Sequence, residues 1–505
     1  MPGAASNFFT PTDYLLSLPM LLLTLFALGI LLIDLMVPKD WKWFNAAVAL
    51  VGVMFSASSV FKIQVAQAQA AAVGEHLESG LRGALLVDHF ALYFFYLFLA
   101  GTAVAILMSV RYLEIEREDH GEYYALMLFS VVGMMCMASG YDIVLIFIGL
   151  ELMAISTYVL VGFLRRNLRS NEGALKYLLL GAFSSGIFAY GLSLLYGLTG
   201  STNLGVISQQ LARQLQMNQG HASPVAIIAL LATATGLLFK IAAVPFHQWA
   251  PDAYEGAPTS ITGFMSVAVK AAGWAMLLRI LMWGLSPLRF VYVPLLVFVA
   301  IATMTGANLA ALTQNNLKRL LAYSSIAHVG YMLLGLVAGD LYYATADGVK
   351  GILLYLLVYT FMNLGAFAVI TSLRHRNVIG DEIDDISGLY SRAPVEAVLM
   401  LIFLLSLAGI PPLAGFYGKY FIFLSLIETG HYALAALGVA YSVVGLYYYL
   451  RIANKMFMSE ATEKEPLPAS AGLRAALALT ACATVLIGIY PEPFVRAVNW
   501  SLGLI

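Results

Sequence analysis

Long apolar runs alternate with short polar interruptions along almost the whole of this 505-residue sequence. A helix rises about 1.5 Å per residue, so about 20 apolar residues suffice to cross the hydrocarbon of a bilayer. Runs of that kind predict fourteen helices, over 14–36, 44–62, 87–110, 122–139, 142–164, 173–198, 224–249, 257–283, 290–312, 319–338, 342–373, 394–427, 432–457 and 472–490. Residues 63–86 and 200–222 read as polar connections, and the second has the pattern of an amphipathic surface helix. The loop Gly140-Tyr141-Asp142 at the joint of the fourth and fifth runs is very short.

Two of the runs are broken. In the seventh, Pro245 removes a helix hydrogen bond five residues after Lys240, and a segment rich in proline and acid follows as far as Pro258. In the twelfth, SLAGIPPLAGFYGKY over 406–420 places Gly409, Pro411, Pro412 and Gly415 inside an otherwise apolar stretch. Irregular backbone at membrane depth survives where protein buries it or where it lines a wet cavity. The two breaks are five spans apart, an odd number, so their spans run in opposite directions. Paired broken helices point to inverted repeats with a site at the midplane. The fold class is therefore an all-α polytopic membrane protein with two inverted five-helix repeats. The expected division is 1–120 (three N-terminal helices), 121–285 (helices 4–8), 286–460 (helices 9–13) and 461–505 (helix 14).

Composition agrees with this pattern and excludes several functions. Hydrophobic residues make up 61% of the chain and charged residues 11%, against roughly 25% charged in a soluble domain. A net charge of −1 argues against a nucleic-acid partner. Cys136 and Cys482 are far apart in apolar runs, and no CxxC or Cys/His cluster exists to hold iron–sulfur, zinc or haem. No Walker A or GxGxxG motif supports nucleotide binding. MPGAASNFFTPTDY lacks a basic n-region, so the first run is expected to stay as a helix.

Loop charge sets the orientation. One set of alternate loops carries Lys39, Lys42, Arg111, Arg117, Arg165, Arg166, Arg169, Lys318, Arg319, Arg374, Arg376, Arg392, Arg451, Lys455, Lys464 and Arg474. The other carries Lys62, Arg82, Arg213, Arg279, Arg289, Lys350 and Arg496. The richer set should face the cytoplasm, which leaves both termini outside. The acidic run Asp381–Asp385 reads as a solvated loop.

Ionisable residues inside the spans carry the candidate chemistry, because a charge at the bilayer centre costs roughly 2.5 kcal/mol or more. They are Glu151 in helix 5, Lys176 in helix 6, Lys240 and His247 around the first break, Lys270 in helix 8, His328 in helix 10 and Lys419 after the second break. Burial disfavours the charged form of a lysine, so a buried lysine can release a proton near neutrality, and a nearby carboxylate opposes that. Histidine and water bridge between such stations. Each residue also has a plainer reading. Glu151 and Lys176 can form a structural ion pair, and Lys176 can snorkel to the interface. His247 can bond a freed carbonyl, His328 can join helices, and Lys419 can be a counter-charge to a helix end.

The residues that carry the first break and helix 8, VPFHQWAPDAYEGAPTSITGFMSVAVKAAG, strongly resemble the antiporter-like membrane subunits of respiratory complex I and of Mrp-type cation/proton antiporters. RSNEGALKYLLLGAFSSGIFAYGLSLLYG and the glycine–proline break before Lys419 are most similar to the N-type subunits of bacterial NADH–quinone oxidoreductases. The resemblance covers essentially the whole chain, apart from the lateral C-terminal helix of the longer relative, for which no room follows helix 14. It implies two half-channels joined at the membrane centre, with Glu151, Lys176, Lys240, Lys270 and Lys419 as proton stations and His247 and His328 as relay groups. It also implies a chain with no cofactor or metal of its own, while FMN, iron–sulfur clusters and quinone sit in other subunits. The expected partners are the other membrane subunits of such a complex, neighbouring antiporter-like chains among them, and the bilayer of the bacterial cytoplasmic membrane. An Mrp-type sodium/proton antiporter subunit is the alternative, and a purely structural scaffold a second. Sodium favours acidic and carbonyl ligands, and the predominance of lysine favours protons.

Overall fold

The structure, a computed structural model, describes residues 9–38, 41–339, 347–374, 380–461 and 470–503. Lys39, Arg376 and Lys464, counted above among the loop charges, lie outside the described residues. The chain is helical almost throughout. Its helices in order are α1 (Pro11–Asp34), α2 (Trp43–Ala72), α3 (His89–Glu116), α4 (Gly121–Ser139), α5 (Ile143–Val161), α6 (Leu168–Thr199) and α7 (Leu204–Met217). Then follow α8 (Pro224–Lys240), α9 (Trp249–Gly256), α10 (Thr259–Phe264), α11 (Lys270–Leu278), α12 (Arg289–Leu312), α13 (Leu317–Ala338) and α14 (Asp347–Leu373). The chain closes with α15 (Leu389–Arg392), α16 (Pro394–Ala408), α17 (Ala414–Glu428), α18 (Tyr432–Met458), α19 (Ala471–Ile489) and α20 (Glu492–Ser501).

Among the described residues, twelve helices are long and apolar enough to cross a membrane, and α8 and α16 are shorter apolar helices. Polar side chains set where several helices begin. Asp88, Asp142, Asn167, Asn203, Ser223, Asn316 and Ser470 each accept a hydrogen bond from a backbone N–H of the first helical turn that follows. The tight joint after α4 is real, because Gly140 ends the helix and Asp142 caps the next. Here α4 and α5 run backbone to backbone, and a Cβ on Gly133 would come 2.5 Å from the Gly149 carbonyl oxygen. The connection at 200–222 contains α7, an amphipathic helix, as the pattern suggested.

Several expectations are corrected. The helix predicted over 44–62 continues to Ala72, so Lys62 is helical; residues 63–72 are rich in alanine and glutamine, good helix formers. Arg279 is not a loop charge. It has no solvent exposure and lies in the helical stretch Thr259–Gly284. Its guanidinium forms a bidentate pair with Asp88, far away in sequence, which an apolar pattern does not reveal. Lys350 lies in α14 and pairs with Asp347 at 3.7 Å. Lys318, at the start of α13, is 3% exposed, donates to the Ala257 carbonyl oxygen at 3.0 Å and stands 3.3 Å from Asp381. Asp381 is therefore buried, whereas Glu382 and Asp384 of the same run are exposed. The loop bias does not depend on these residues.

Candidate functional site

Both predicted breaks are present. In the first, α8 ends at Lys240 and α9 begins at Trp249. Ala242 turns the chain with φ of +60°, and the Val244–Pro245 bond is cis. The freed backbone groups find partners in the protein. Val244 N donates to Thr303 Oγ1 at 3.0 Å, and Trp249 Nε1 donates to the Phe239 carbonyl oxygen at 3.0 Å. The second break separates α16 from α17, with Gly409 at φ of +85° and a cis Pro411–Pro412 bond. There Lys419 Nζ donates to the Ala408 carbonyl oxygen at 2.8 Å, and Gly415 N donates to Ser406 Oγ at 3.0 Å. Each break is thus stabilised from inside the bundle, as backbone at membrane depth requires.

Lys240, Lys270, His328 and Lys419 are buried, at 3%, 3%, 2% and 6% exposure. Lys240 Nζ donates to the Tyr177 hydroxyl at 3.2 Å. Lys270 Nζ donates to the Ser325 carbonyl oxygen at 3.1 Å and also bonds Ser325 Oγ. The five residues before it, Met265–Val269, form a π-helical segment, and a second covers Arg279–Gly284. Such bulges recur at functional sites and re-aim the side chains that follow. Ser324, Ser325, His328 and Tyr331 fall on one stripe of α13. His328 Nε2 meets the Tyr449 hydroxyl at 3.1 Å, Nδ1 meets the Tyr355 hydroxyl, and Tyr449 also bonds Ser324 Oγ at 2.5 Å. Lys419 Nζ stands 5.0 Å from the centre of the Tyr331 ring, on the floor of a groove of about 370 Å³ between α17 and α18.

The remaining predicted residues sit differently. Glu151 is half-buried on α5, with Oε1 enclosed and without a hydrogen-bond partner. It does not pair with Lys176. Lys176 instead reaches Asp252 at 2.8 Å and Glu172 at 2.6 Å, with 43% of its side chain exposed. The break prevents His247 from sharing a helical face with Lys240; it lies half-buried beyond the turn. Asp252 also accepts from Arg319 at 2.5 Å, and Glu255 accepts from Arg319 at 2.9 Å and pairs with Arg169 at 3.3 Å. These acids join α9 to α6 and α13. Beside them opens a polar cavity of about 560 Å³ lined by Glu116, Arg166, Arg169, Glu255, Lys318, Arg374 and Asp381.

Sequence reasoning missed Tyr177, Tyr355 and Tyr449, the hydroxyls that hold the buried bases, and the role of Asp252. Tyr177 had a signal, since it follows Lys176 directly. Tyr355 and Tyr449 lie in tyrosine-rich apolar runs where nothing marks one ring from the next.

The arrangement is a row of buried bases held by neutral acceptors. A transmembrane model described as NADH:quinone oxidoreductase/Mrp antiporter matches residues 140–445. The chain is 65% identical over 498 residues to NADH-quinone oxidoreductase subunit N 1 of Koribacter versatilis, covering 99% of this chain and 97% of that one. It also resembles a chain of respiratory complex I from Thermus thermophilus with bound aureothin. That match has 30% identity and a TM-score of 0.77 and covers 95% of this chain and 99% of that chain. A chain of the Mrp complex from Dietzia sp. DQ12-45-1b shares the fold, with 21% identity and a TM-score of 0.79 over 96% of this chain and 97% of that chain. The chain belongs to the NADH:quinone oxidoreductase/Mrp antiporter transmembrane family.

Proposed function

We infer that this chain is the proton-translocating membrane subunit of an NADH–quinone oxidoreductase of the complex I type, which couples quinone reduction to proton pumping. It works among the other membrane subunits of that complex. The observation that carries the mechanism is the set of buried lysines. Lys240, Lys270 and Lys419 are held by a tyrosine hydroxyl, a serine and a backbone carbonyl, and none forms an ion pair among the described residues. A base held only by neutral acceptors is free to change its charge, and in a low-dielectric interior each charge is felt by the next. Glu151, with one oxygen unsatisfied, is the acid that biases the nearest of them. Lys176 and His247 flank the first break and His328 links Lys270 to the second half. Lys419 is the last station.

The chain holds no redox centre; FMN, iron–sulfur clusters and quinone belong to other subunits. Its spans number fourteen when each broken pair, α8 with α9 and α16 with α17, is counted as one. Two inverted units fit the contacts. α4 packs on α5 as α12 packs on α13, and α6 lies against both halves of the first break as α14 lies against both halves of the second. Even the joints correspond, since Asp142 bridges to Asn203 as Asn316 bridges to Glu382. Both termini lie outside the cytoplasmic membrane on the loop-charge bias. The Mrp-type reading is weaker, because a sodium site asks for oxygen ligands and the buried row is mainly lysine.

The test is Glu151→Gln. Assembly should persist while coupled turnover falls, with Glu151→Asp milder. A Glu151→Gln enzyme that pumps like wild type would make Glu151 structural.

A further inference from the structure

Two adjacent residues attach α6 to the first broken span. Lys176 points to the outer side of the contact, where it meets Asp252. Tyr177, about 100° further round the helix, points inward and is fully buried. Its ring lies flat on the Trp249 indole, with centroids 4.2 Å apart and planes 10° from parallel, and meets Tyr158 edge-on at 4.6 Å. Its hydroxyl accepts the one hydrogen bond that Lys240 Nζ makes among the described residues, at 3.2 Å. Trp249 is fixed in turn by its bond to the Phe239 carbonyl oxygen, the residue before Lys240. Beneath this stack α6 and α9 touch along the backbone. A Cβ on Gly173 would lie 2.7 Å from the Asp252 carbonyl oxygen, and one on Gly256 would lie 2.3 Å from that of Arg169. α9 is thus seated directly on α6, and its first residue, Trp249, lies on the ring that holds Lys240.

We propose that Tyr177 is a positioning residue for Lys240: its hydroxyl fixes where the ammonium sits, and its stack on Trp249 ties that hold to the placement of α9. A tyrosine serving only as packing would use its ring and not its hydroxyl, so the two accounts separate at a single atom. The inference rests on Lys240 being a proton station, the reading given above.

Tyr177→Phe tests it, since the ring and its stack remain and only the hydroxyl goes. In vesicles carrying the whole complex, with assembly checked on native gels, proton uptake coupled to quinone reduction should fall about tenfold, the factor expected for losing a hydrogen bond to a charged group. Lys240→Met and the Tyr177→Phe/Lys240→Met double variant complete the cycle. If Tyr177 acts through Lys240, the double variant loses no more than Lys240→Met alone. A Tyr177→Phe enzyme that pumps like wild type, or a double variant with multiplied losses, overturns this inference and leaves the proton role of Lys240 standing. A Lys240→Met enzyme that pumps like wild type overturns both.

Discussion

Removing the Asp88 carboxylate should loosen the helical stretch that carries Lys270. Arg279 lies nine residues after Lys270 in that stretch and has no solvent exposure. Its Nη1 and Nη2 donate to the two Asp88 oxygens, each at 2.7 Å, and Nε and Nη2 donate to the Ala138 carbonyl oxygen at 3.2 and 2.9 Å. The rings of Phe90 and Trp283 lie 4.7 and 4.9 Å from the guanidinium carbon. Asp88 also caps α3, accepting from Ala91 N at 2.9 Å. Taking one partner from a buried pair costs about 3–5 kcal/mol, and losing an N-cap costs about 1 kcal/mol more. Two terms offset this. The Ala138 carbonyl and both rings stay in place, and the Asp88 side chain is 19% exposed, so water can replace part of the carboxylate. The net expectation for Asp88→Ala is a loss of about 3 kcal/mol. Asp88→Asn keeps an oxygen for the cap and for one guanidinium bond, so it should lose about half as much. Arg279→Leu combined with Asp88→Ala removes both charges and should recover much of the loss. The assay is thermal unfolding of the detergent-solubilised complex, with assembly followed on native gels. An Asp88→Ala protein within about 0.5 kcal/mol of wild type, or a double variant that loses the sum of its singles, would mean that the Asp88–Arg279 pair does not hold this stretch.

Two further outcomes are expected. Asp119, in the short connection between α3 and α4, has its carboxyl pushed up to about 6, first by burial and then by Asp34 nearby. A carboxylate raised on folding is tolerated when protonated and opposes the fold as it ionises, so stability should decline as pH rises from about 4 to about 6. Asp119→Asn should flatten that decline and be the more stable at neutral pH; a steeper decline would reverse the sign of the argument. Cysteine accessibility labelling should find Asn167→Cys on the cytoplasmic side and Leu215→Cys on the outer side, and the opposite pattern would invert the assigned topology.

The long apolar helices were legible in the sequence because lipid leaves the chain few choices. A segment crossing hydrocarbon must satisfy its backbone internally and show long apolar runs, and glycine–proline clusters such as Gly409 to Pro412 are conspicuous within them. The buried lysines were legible for the same reason. What could not be read was which group faces which. Lys176 was weighed as a partner for Glu151, but α9 folds back so that Asp252 takes it, and that pairing depends on the path of the chain after Pro245. Arg279 and Lys318 look like ordinary boundary charges. Only packing shows that Asp88 and Asp381, distant in sequence, accompany them into the interior. The π segment before Lys270 leaves no trace in an apolar pattern, since hydrophobic periodicity over five residues does not distinguish it from α-helix.

As proton stations, these buried lysines release and regain protons rather than serve as fixed charges. Proton uptake driven by quinone reduction in vesicles, measured for Lys270→Arg, tests this most directly. Arginine keeps the positive charge but does not give up its proton at working pH. The arginine complex should assemble and fail to take up protons, as Lys270→Met also should. Full pumping by the arginine variant would contradict this and leave Lys270 as a counter-charge bound to Ser325.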